Sequence, residues 1–333
     1  IAWLYDATVH VDEVDADFLA CLDDVRAAYA AMSPKLSFAG ELVARPVSNS
    51  LWHPTRPPLL LFSGGVDSVY SMLGNLALKP TLLSVWGADT FFRDDAPWNK
   101  VYQANREMAD RFGLGYETIK TSFRLFINTD VLDERFAKSH GSWGNWWHGF
   151  QCGIGLLGLA APLAWQRKTR SIIISSTYSS KDSRFIPCAS DPTIDMALRF
   201  AGCQCQHYDY TVSRQEKVAY IREQAEVLRK AIPLRACWVA QGHNCGLCDK
   251  CLRTLFALHA EGADPAQFGF PVDEALQAKI VERIRDGKIL KTPFWDEPVR
   301  KLRSSPQTER HVVEMLRYFE QDFRSEGTAR SSF

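Results

Sequence analysis

Residues 58–73 read PLLLFSGGVDSVYSML, which is an apolar run, a short polar segment with two glycines, and a second largely apolar run. This order predicts a buried strand, a tight loop and a helix. Gly64 and Gly65 permit backbone dihedral angles closed to other residues and let an anion approach the amide groups closely. The helix that follows points its unpaired N–H groups at the same place, so we expect the loop to bind phosphate.

Two serines and one aspartate give this loop its chemistry. Ser63 and Ser68 supply hydroxyl donors, and Asp67 supplies a carboxylate that can hold a magnesium ion. The segment lacks the Gly-Lys-Ser/Thr ending of a Walker A loop, so a kinase or GTPase of that type does not fit. The alternative interpretation is a serine-rich turn between a core strand and a core helix.

The hexapeptide resembles the signature of the PP-loop superfamily, the N-type ATP pyrophosphatases. The resemblance implies an α/β fold like that of the adenine nucleotide alpha hydrolases and an enzyme that binds ATP with Mg²⁺. It also implies that Asp67 is catalytic and that the pyrophosphate is held by Ser63, Gly64, Gly65, Val66, Asp67 and Ser68.

Composition sets the class of protein. The chain has 333 residues, which suits one large α/β domain with attachments or two modest domains. Its 39 basic and 39 acidic residues cancel, so no overall field draws it to nucleic acid or to an anionic membrane, although a local basic patch stays possible. The longest apolar stretch, Gly153–Trp165, is about half the length needed to span a bilayer and predicts a buried helix. The first residues show no signal-peptide pattern, so we expect a cytoplasmic protein.

Apolar runs of strand length alternate with amphipathic runs of helix length. The predicted strands are Leu59–Phe62, Thr81–Trp86, Tyr116–Lys120, Ser171–Ser175 and His207–Tyr210. The predicted helices are Asp67–Leu78, Trp98–Phe112, Trp146–Gln166 and Ser213–Lys230. This alternation predicts a parallel sheet with helices on both faces, and ligands bind such sheets at the carboxyl ends of the strands.

The core is flanked by two extensions. Residues 1–55 predict an N-terminal α/β extension with a strand, a helix at Asp17–Met32 and a loop that ends at residues 52–54. Residues 56–261 form the predicted ATP-binding domain with its cysteine site. Residues 262–333 predict a helical extension with helices at Asp273–Arg285 and Thr308–Phe323 and a frayed end after residue 323.

Four of the nine cysteines form a cluster with the spacing Cys-x7-Cys-x2-Cys-x2-Cys, at Cys237, Cys245, Cys248 and Cys251. We expect Cys237 at the end of a strand, Leu234–Cys237, and the last two cysteines where a helix begins. Four thiolates that converge in this way suit structural zinc. An iron–sulfur cluster is the main alternative, and ordinary buried thiols are the third.

A PP-loop followed by this cysteine cluster resembles the 7-cyano-7-deazaguanine synthase family over about residues 57–255. The resemblance implies that a substrate carboxylate is adenylated and then attacked by ammonia, and that zinc is bound by the four cysteines. Asn145 matches the start of the family's pocket helix and is a predicted substrate residue. The arginine that usually precedes it in the family is absent here.

Further residues are candidates for chemistry. Lys181 and Arg184 follow a predicted strand and could neutralise phosphate or a substrate carboxylate, with solvated loop charges as the alternative. We predict Lys181 as catalytic and Arg184 as substrate-binding. His148 and Cys152 could form a dyad. The pattern from Ser213 to Glu216 predicts a capping box and no chemistry.

The sequence thus predicts an ATP-dependent adenylating enzyme that forms a carbon–nitrogen bond and uses ATP, Mg²⁺ and zinc. Its substrate would be a small carboxylate, which another protein could carry, and a homodimer is compatible. The first alternative is a PP-loop sulfurtransferase in which Cys203, Cys205 or Cys188 handles sulfur. The second is a nucleotide-binding, zinc-stabilised interaction module without turnover.

Overall fold

The computed structural model describes residues 1–49, 56–138, 145–182, 185–239, 242–270, 272–304 and 306–329. The strands are β1 (Thr8–Asp15), β2 (Glu41–Val47), β3 (Leu59–Leu61), β4 (Thr81–Trp86), β5 (Gly115–Lys120), β6 (Ser171–Ser175), β7 (Arg199–Phe200) and β8 (Cys203–Tyr208). The helices are α1 (Ala16–Met32), α2 (Val66–Gly74), α3 (Asp95–Phe112), α4 (Thr129–Leu132), α5 (Cys152–Arg167), α6 (Pro192–Asp195), α7 (Arg214–Leu228), α8 (Asp249–Ala260), α9 (Glu274–Arg285), α10 (Asp296–Arg303) and α11 (Arg310–Ala329).

A six-stranded sheet in the order β5-β4-β3-β6-β8-β7 lies at the centre of the molecule. All its pairs are parallel except β7 with β8, which confirms the predicted α/β class. From β3 the chain proceeds to β4 on one side, whereas β6 pairs with β3 on the other. The order therefore reverses between β3 and β6, where sheets of this kind bind ligands beyond the strand ends.

Alternate residues of the strands face two separate cores. Leu60 packs in one core with helices α2, α7 and α8, and the C-terminal helices add Val299 and Met315 to it. Leu59 and Leu61 face the other core, which α1 and α5 cover. Both faces of the sheet are thus shielded, as a parallel sheet requires. The residue bounds of the three predicted units stay a prediction.

Most predicted elements are present with bounds close to those expected. Helix α5 contains the apolar stretch Gly153–Trp165, and its face with Leu157 and Ala164 is buried. Among the residues that the structure describes, no helix is both long and apolar enough to cross a membrane. The prediction at residues 52–54 lies outside the described ranges.

Three predictions of local structure were wrong, and several elements were missed. The last core strand begins at Cys203 and ends at Tyr208, because Cys203, Cys205 and His207 alternate as its buried face. Strand β2 and helix α10 were not predicted. Helix α11 continues to Ala329, beyond the expected end near residue 323. Segment 234–237 is not a strand, for a reason given below.

Candidate phosphate loop and four-cysteine site

The loop after β3 has the backbone that the glycine pair predicts. Gly64 has φ +77°, and a Cβ atom there would lie 2.7 Å from Asn105 Oδ1. Gly65 is the N-cap of α2, so the amide groups of the first turn face the loop. The N–H of Arg235 donates to the Gly64 carbonyl at 2.7 Å and fixes the loop from a distant part of the chain.

The serine hydroxyls bond within the loop. The N–H groups of Ser63 and Gly65 donate to Ser68 Oγ and Ser63 Oγ, both at 3.3 Å. Ser68 Oγ donates to the Gly65 carbonyl at 3.1 Å. Ser68 and Val66 are buried, whereas Ser63 is exposed. Ser63 is therefore the hydroxyl in the best position to meet a ligand.

Asp67, in the first turn of α2, lies between two cations. Arg214 Nη1 is 2.7 Å from Asp67 Oδ2, and Lys217 Nζ is 3.5 Å from Oδ1. Burial raises the pKa of Asp67, but the charges of Arg214 and Lys217 outweigh burial and hold that pKa below its usual value. Asp67 is therefore ionised at neutral pH.

Lys217 bridges the point where the strand order reverses. Its ammonium donates to the Ser176 carbonyl at 2.6 Å, just beyond β6, while it faces Asp67 beyond β3. The side chain is 1 % exposed, and burial lowers its pKa although Asp67 opposes that shift. We did not predict Lys217 or Arg214, although a lysine beside Val218 and Ile221 on the apolar stripe of α7 was a usable signal.

Two more arginines lie near the loop. Arg235 donates a side-chain hydrogen bond to the Ser63 carbonyl, and burial lowers its pKa. Arg253, in α8, stacks on the Phe294 ring at 4.4 Å. Burial, together with the charge of Arg214, lowers the pKa of Arg253 to about 10. Together with Arg214 and Lys217, these side chains make the region beside the loop cationic.

The four predicted cysteine ligands come together. Cys248 is the N-cap of α8, and Cys251 lies in its first turn, as predicted. Cys237 comes from an irregular segment instead of a strand. The Asn244 side chain accepts from the N–H groups of Ala236 and Cys237 and donates to the Leu234 carbonyl, so it replaces the partner strand that we expected.

The geometry of the four sulfur atoms fits one metal ion. The Sγ atoms of Cys237 and Cys248 are 3.8 Å apart, and those of Cys245 and Cys251 are 3.9 Å apart. Sulfur atoms about 2.3 Å from a tetrahedral zinc ion lie about 3.8 Å from one another. The Leu247 and Cys248 N–H groups donate to Cys245 Sγ, which stabilises a thiolate there. The cluster could therefore hold a metal such as zinc.

The remaining predicted site residues lie elsewhere. Lys181 binds the Glu216 carboxylate at 2.6 and 2.7 Å on the surface. Glu216 also completes the capping box with Ser213, which confirms that prediction. Asn145 is exposed, and its Oδ1 accepts from the His148 N–H at 3.2 Å. Arg184 lies outside the described residues. The catalytic and substrate roles of Lys181, Asn145 and Arg184 stay predictions.

A second thiol pair lies beside a cavity of about 110 Å³ near the same sheet edge. Cys188 lines this cavity, and its Sγ is 4.0 Å from Cys152 Sγ. The hydrogen bond from Cys152, with help from His148, lowers the pKa of Cys188 well below its usual value. The His148 ring bonds the Tyr178 hydroxyl at 3.0 Å, and Cys152 contacts the His148 carbonyl instead of its ring.

Cys203 and Cys205 differ from that pair. Both point into the core from β8, and burial raises the pKa of Cys203 to about 12 and raises that of Cys205 as well. Neither is placed to act as a nucleophile.

Neither the models of known protein families nor the curated proteins match this chain. The function is therefore inferred from the site itself.

Proposed function

We propose that the protein is an ATP-dependent adenylating enzyme of the PP-loop type, with a fold like that of the adenine nucleotide alpha hydrolases. The observation that carries the proposal is the position of the Ser63–Ser68 loop at the strand-order reversal, with Asp67 between Arg214 and Lys217. An anion-binding loop with fixed cations beside it suits the pyrophosphate that leaves when the α-phosphorus is attacked.

In this proposal a substrate carboxylate attacks the α-phosphorus of ATP. The N–H groups of the loop and the ammonium of Lys217 stabilise the charge that develops on the leaving pyrophosphate. Asp67 orients Arg214 and Lys217 by charge. AMP then leaves when a nitrogen nucleophile attacks the adenylate, which forms the carbon–nitrogen bond of a ligase. The resemblance to 7-cyano-7-deazaguanine synthases makes a deazaguanine-type carboxylate and ammonia the first pair to test.

Magnesium does not fit Asp67 as the structure stands. Both carboxylate oxygens face cations, so a metal ion could bind there only by displacing Arg214 or Lys217. We therefore derive no step through magnesium at Asp67. For the four cysteines we propose one zinc ion instead of an iron–sulfur cluster, because their close sulfur contacts suit a single shared ion.

The test is release of AMP and pyrophosphate from ATP with a panel of carboxylates and ammonia. We expect acid-dependent release by the wild type and loss of about 10²- to 10³-fold in Lys217→Met, since one fixed transition-state donor is worth that much. Lys279→Met on the exposed face of α9 is the matched control and should behave as the wild type. No AMP with any acid, despite measurable ATP binding, would contradict the adenylating function and favour a non-catalytic module.

Sulfur transfer is the second candidate, and the Cys152–Cys188 pair favours it. A thiol with a lowered pKa beside a partner thiol and a cavity is the arrangement that a sulfur carrier needs. In this reading Cys188→Ser abolishes thiolation of the product, and Cys203→Ser does not. Thiolation by Cys188→Ser at the wild-type rate would exclude it.

A further inference from the structure

A cluster of two histidines and one glutamate lies at the far end of α8 from the cysteine site. His259 is in the last turn of α8, and His311 is in the first turn of α11. Their Nε2 atoms are 3.1 Å apart, which is also the distance of a hydrogen bond between the two rings. Glu309 Oε1 is 3.4 Å from His259 Nδ1, and Glu309 Oε2 is 3.7 Å from His311 Nε2. Three metal-ligating side chains thus converge from two helix ends.

Core packing alone does not account for this cluster. The His311 side chain is fully buried against the Phe256 and His259 rings. Its Nδ1 has no hydrogen-bond partner among the residues that the structure describes. An apolar side chain would fill the same space without an unsatisfied nitrogen.

The distances fit a shared divalent ion. Two histidine nitrogens about 2.0–2.1 Å from a tetrahedral zinc ion lie about 3.3 Å apart, close to the observed 3.1 Å. His259 and Glu309 also line a cavity of about 530 Å³, together with Asp264. A metal held by these three side chains would keep a coordination position open to that cavity. Three protein ligands with one open position are typical of catalytic zinc centres.

We propose that His259, Glu309 and His311 form a second divalent-metal site of the zinc class that opens into this cavity. It is distinct from the four-cysteine site. His259 lies eight positions after Cys251 in α8, which is about 12 Å along the helix. The proposal depends neither on ATP nor on the adenylating reaction.

Cobalt(II) separates the two sites by spectroscopy. Cobalt bound by cysteine thiolates shows sulfur-to-metal charge-transfer absorption, whereas cobalt bound by nitrogen and oxygen shows only weak ligand-field bands. We expect the wild-type chain to bind two equivalents of cobalt, one with the thiolate signal and one with only the weak bands. Cys251→Ser should weaken the thiolate signal and leave the weak bands unchanged. A wild type that binds only the thiolate-type equivalent overturns the proposal.

Two variants test the ligands. His259→Gln and Glu309→Gln should each lower the affinity for the second cobalt ion at least about tenfold and leave the thiolate signal intact. Glu309 is about half-exposed, so its replacement should not disturb folding, which circular dichroism checks. His10→Gln, on the exposed strand β1, is the control for adventitious binding by surface histidines and should bind as the wild type. Unchanged binding in Glu309→Gln overturns the site.

Discussion

Replacement of Asp67 by asparagine tests whether this carboxylate stabilises a buried cation. Lys217 is 1 % exposed and would keep the Ser176 carbonyl, the Tyr70 ring at 5.9 Å and a neutral amide as partners. Loss of one member of a buried pair costs about 3–5 kcal/mol when the other charge has no compensation. Asparagine still accepts a hydrogen bond, and Arg214 is partly exposed, so we expect a loss of about 2–3 kcal/mol in the free energy of unfolding.

The assay is urea unfolding of Asp67→Asn, Lys217→Met and the double variant at pH 7. The double variant removes both charges of the pair, so it should be at least about 1 kcal/mol more stable than Asp67→Asn alone. Asp110→Asn is the matched control, because Asp110 pairs with Arg106 on the surface, and we expect no measurable change there. The reasoning would be refuted if the double variant were no more stable than Asp67→Asn. It would also be refuted if Asp67→Asn had the same free energy of unfolding as the control Asp110→Asn.

Three further predictions concern acid, the metal and the loop. The pKa of Asp67 is lower in the folded state than in the unfolded state. Its contribution to the free energy of unfolding is therefore complete above the unfolded-state pKa and is lost as the pH falls through the folded-state pKa. Below about pH 4, acid should thus destabilise the wild type more than Asp67→Asn. Cys251→Ser should lower zinc content, measured by elemental analysis, and reduce the unfolding temperature, with Cys21→Ser as the unaffected metal control. Gly64→Ala should lower the free energy of unfolding, measured in urea, more than Gly113→Ala does. Both glycines have positive φ, but only at Gly64 would the added Cβ have a neighbour, Asn105, within 4 Å.

Local patterns predicted the parts of the site that lie within one stretch of chain. The apolar run, the glycine pair and the helix start specify the loop because each acts on its own neighbours. The compact cysteine spacing likewise places Cys248 and Cys251 at one helix start. Lys217 was missed because its partner Asp67 is 150 residues away, and no local pattern reports that contact. Its position on an apolar helix stripe was the one available signal.

The wrong strand at segment 234–237 has a similar cause. Its sequence is apolar enough for a strand, but the Asn244 side chain satisfies the backbone groups of Leu234, Ala236 and Cys237 before any strand can pair with them. A side chain ten residues away thus decides the local structure. The error at β8 concerns the bounds of the strand, because Cys203 and Cys205 belong to its buried face and the strand begins four residues before the expected His207.

The same segment connects the cysteine site to the phosphate loop. Arg235 bonds both Ser63 and Gly64 and is two residues from Cys237. Arg253, whose pKa responds to Arg214 and Asp67, is two residues from Cys251. A metal that fixes Cys237 and Cys251 would therefore also restrain these two arginines. Under the proposed function, a metal at the four cysteines would therefore affect nucleotide binding, because it would hold Arg235 and Arg253 in place beside the loop.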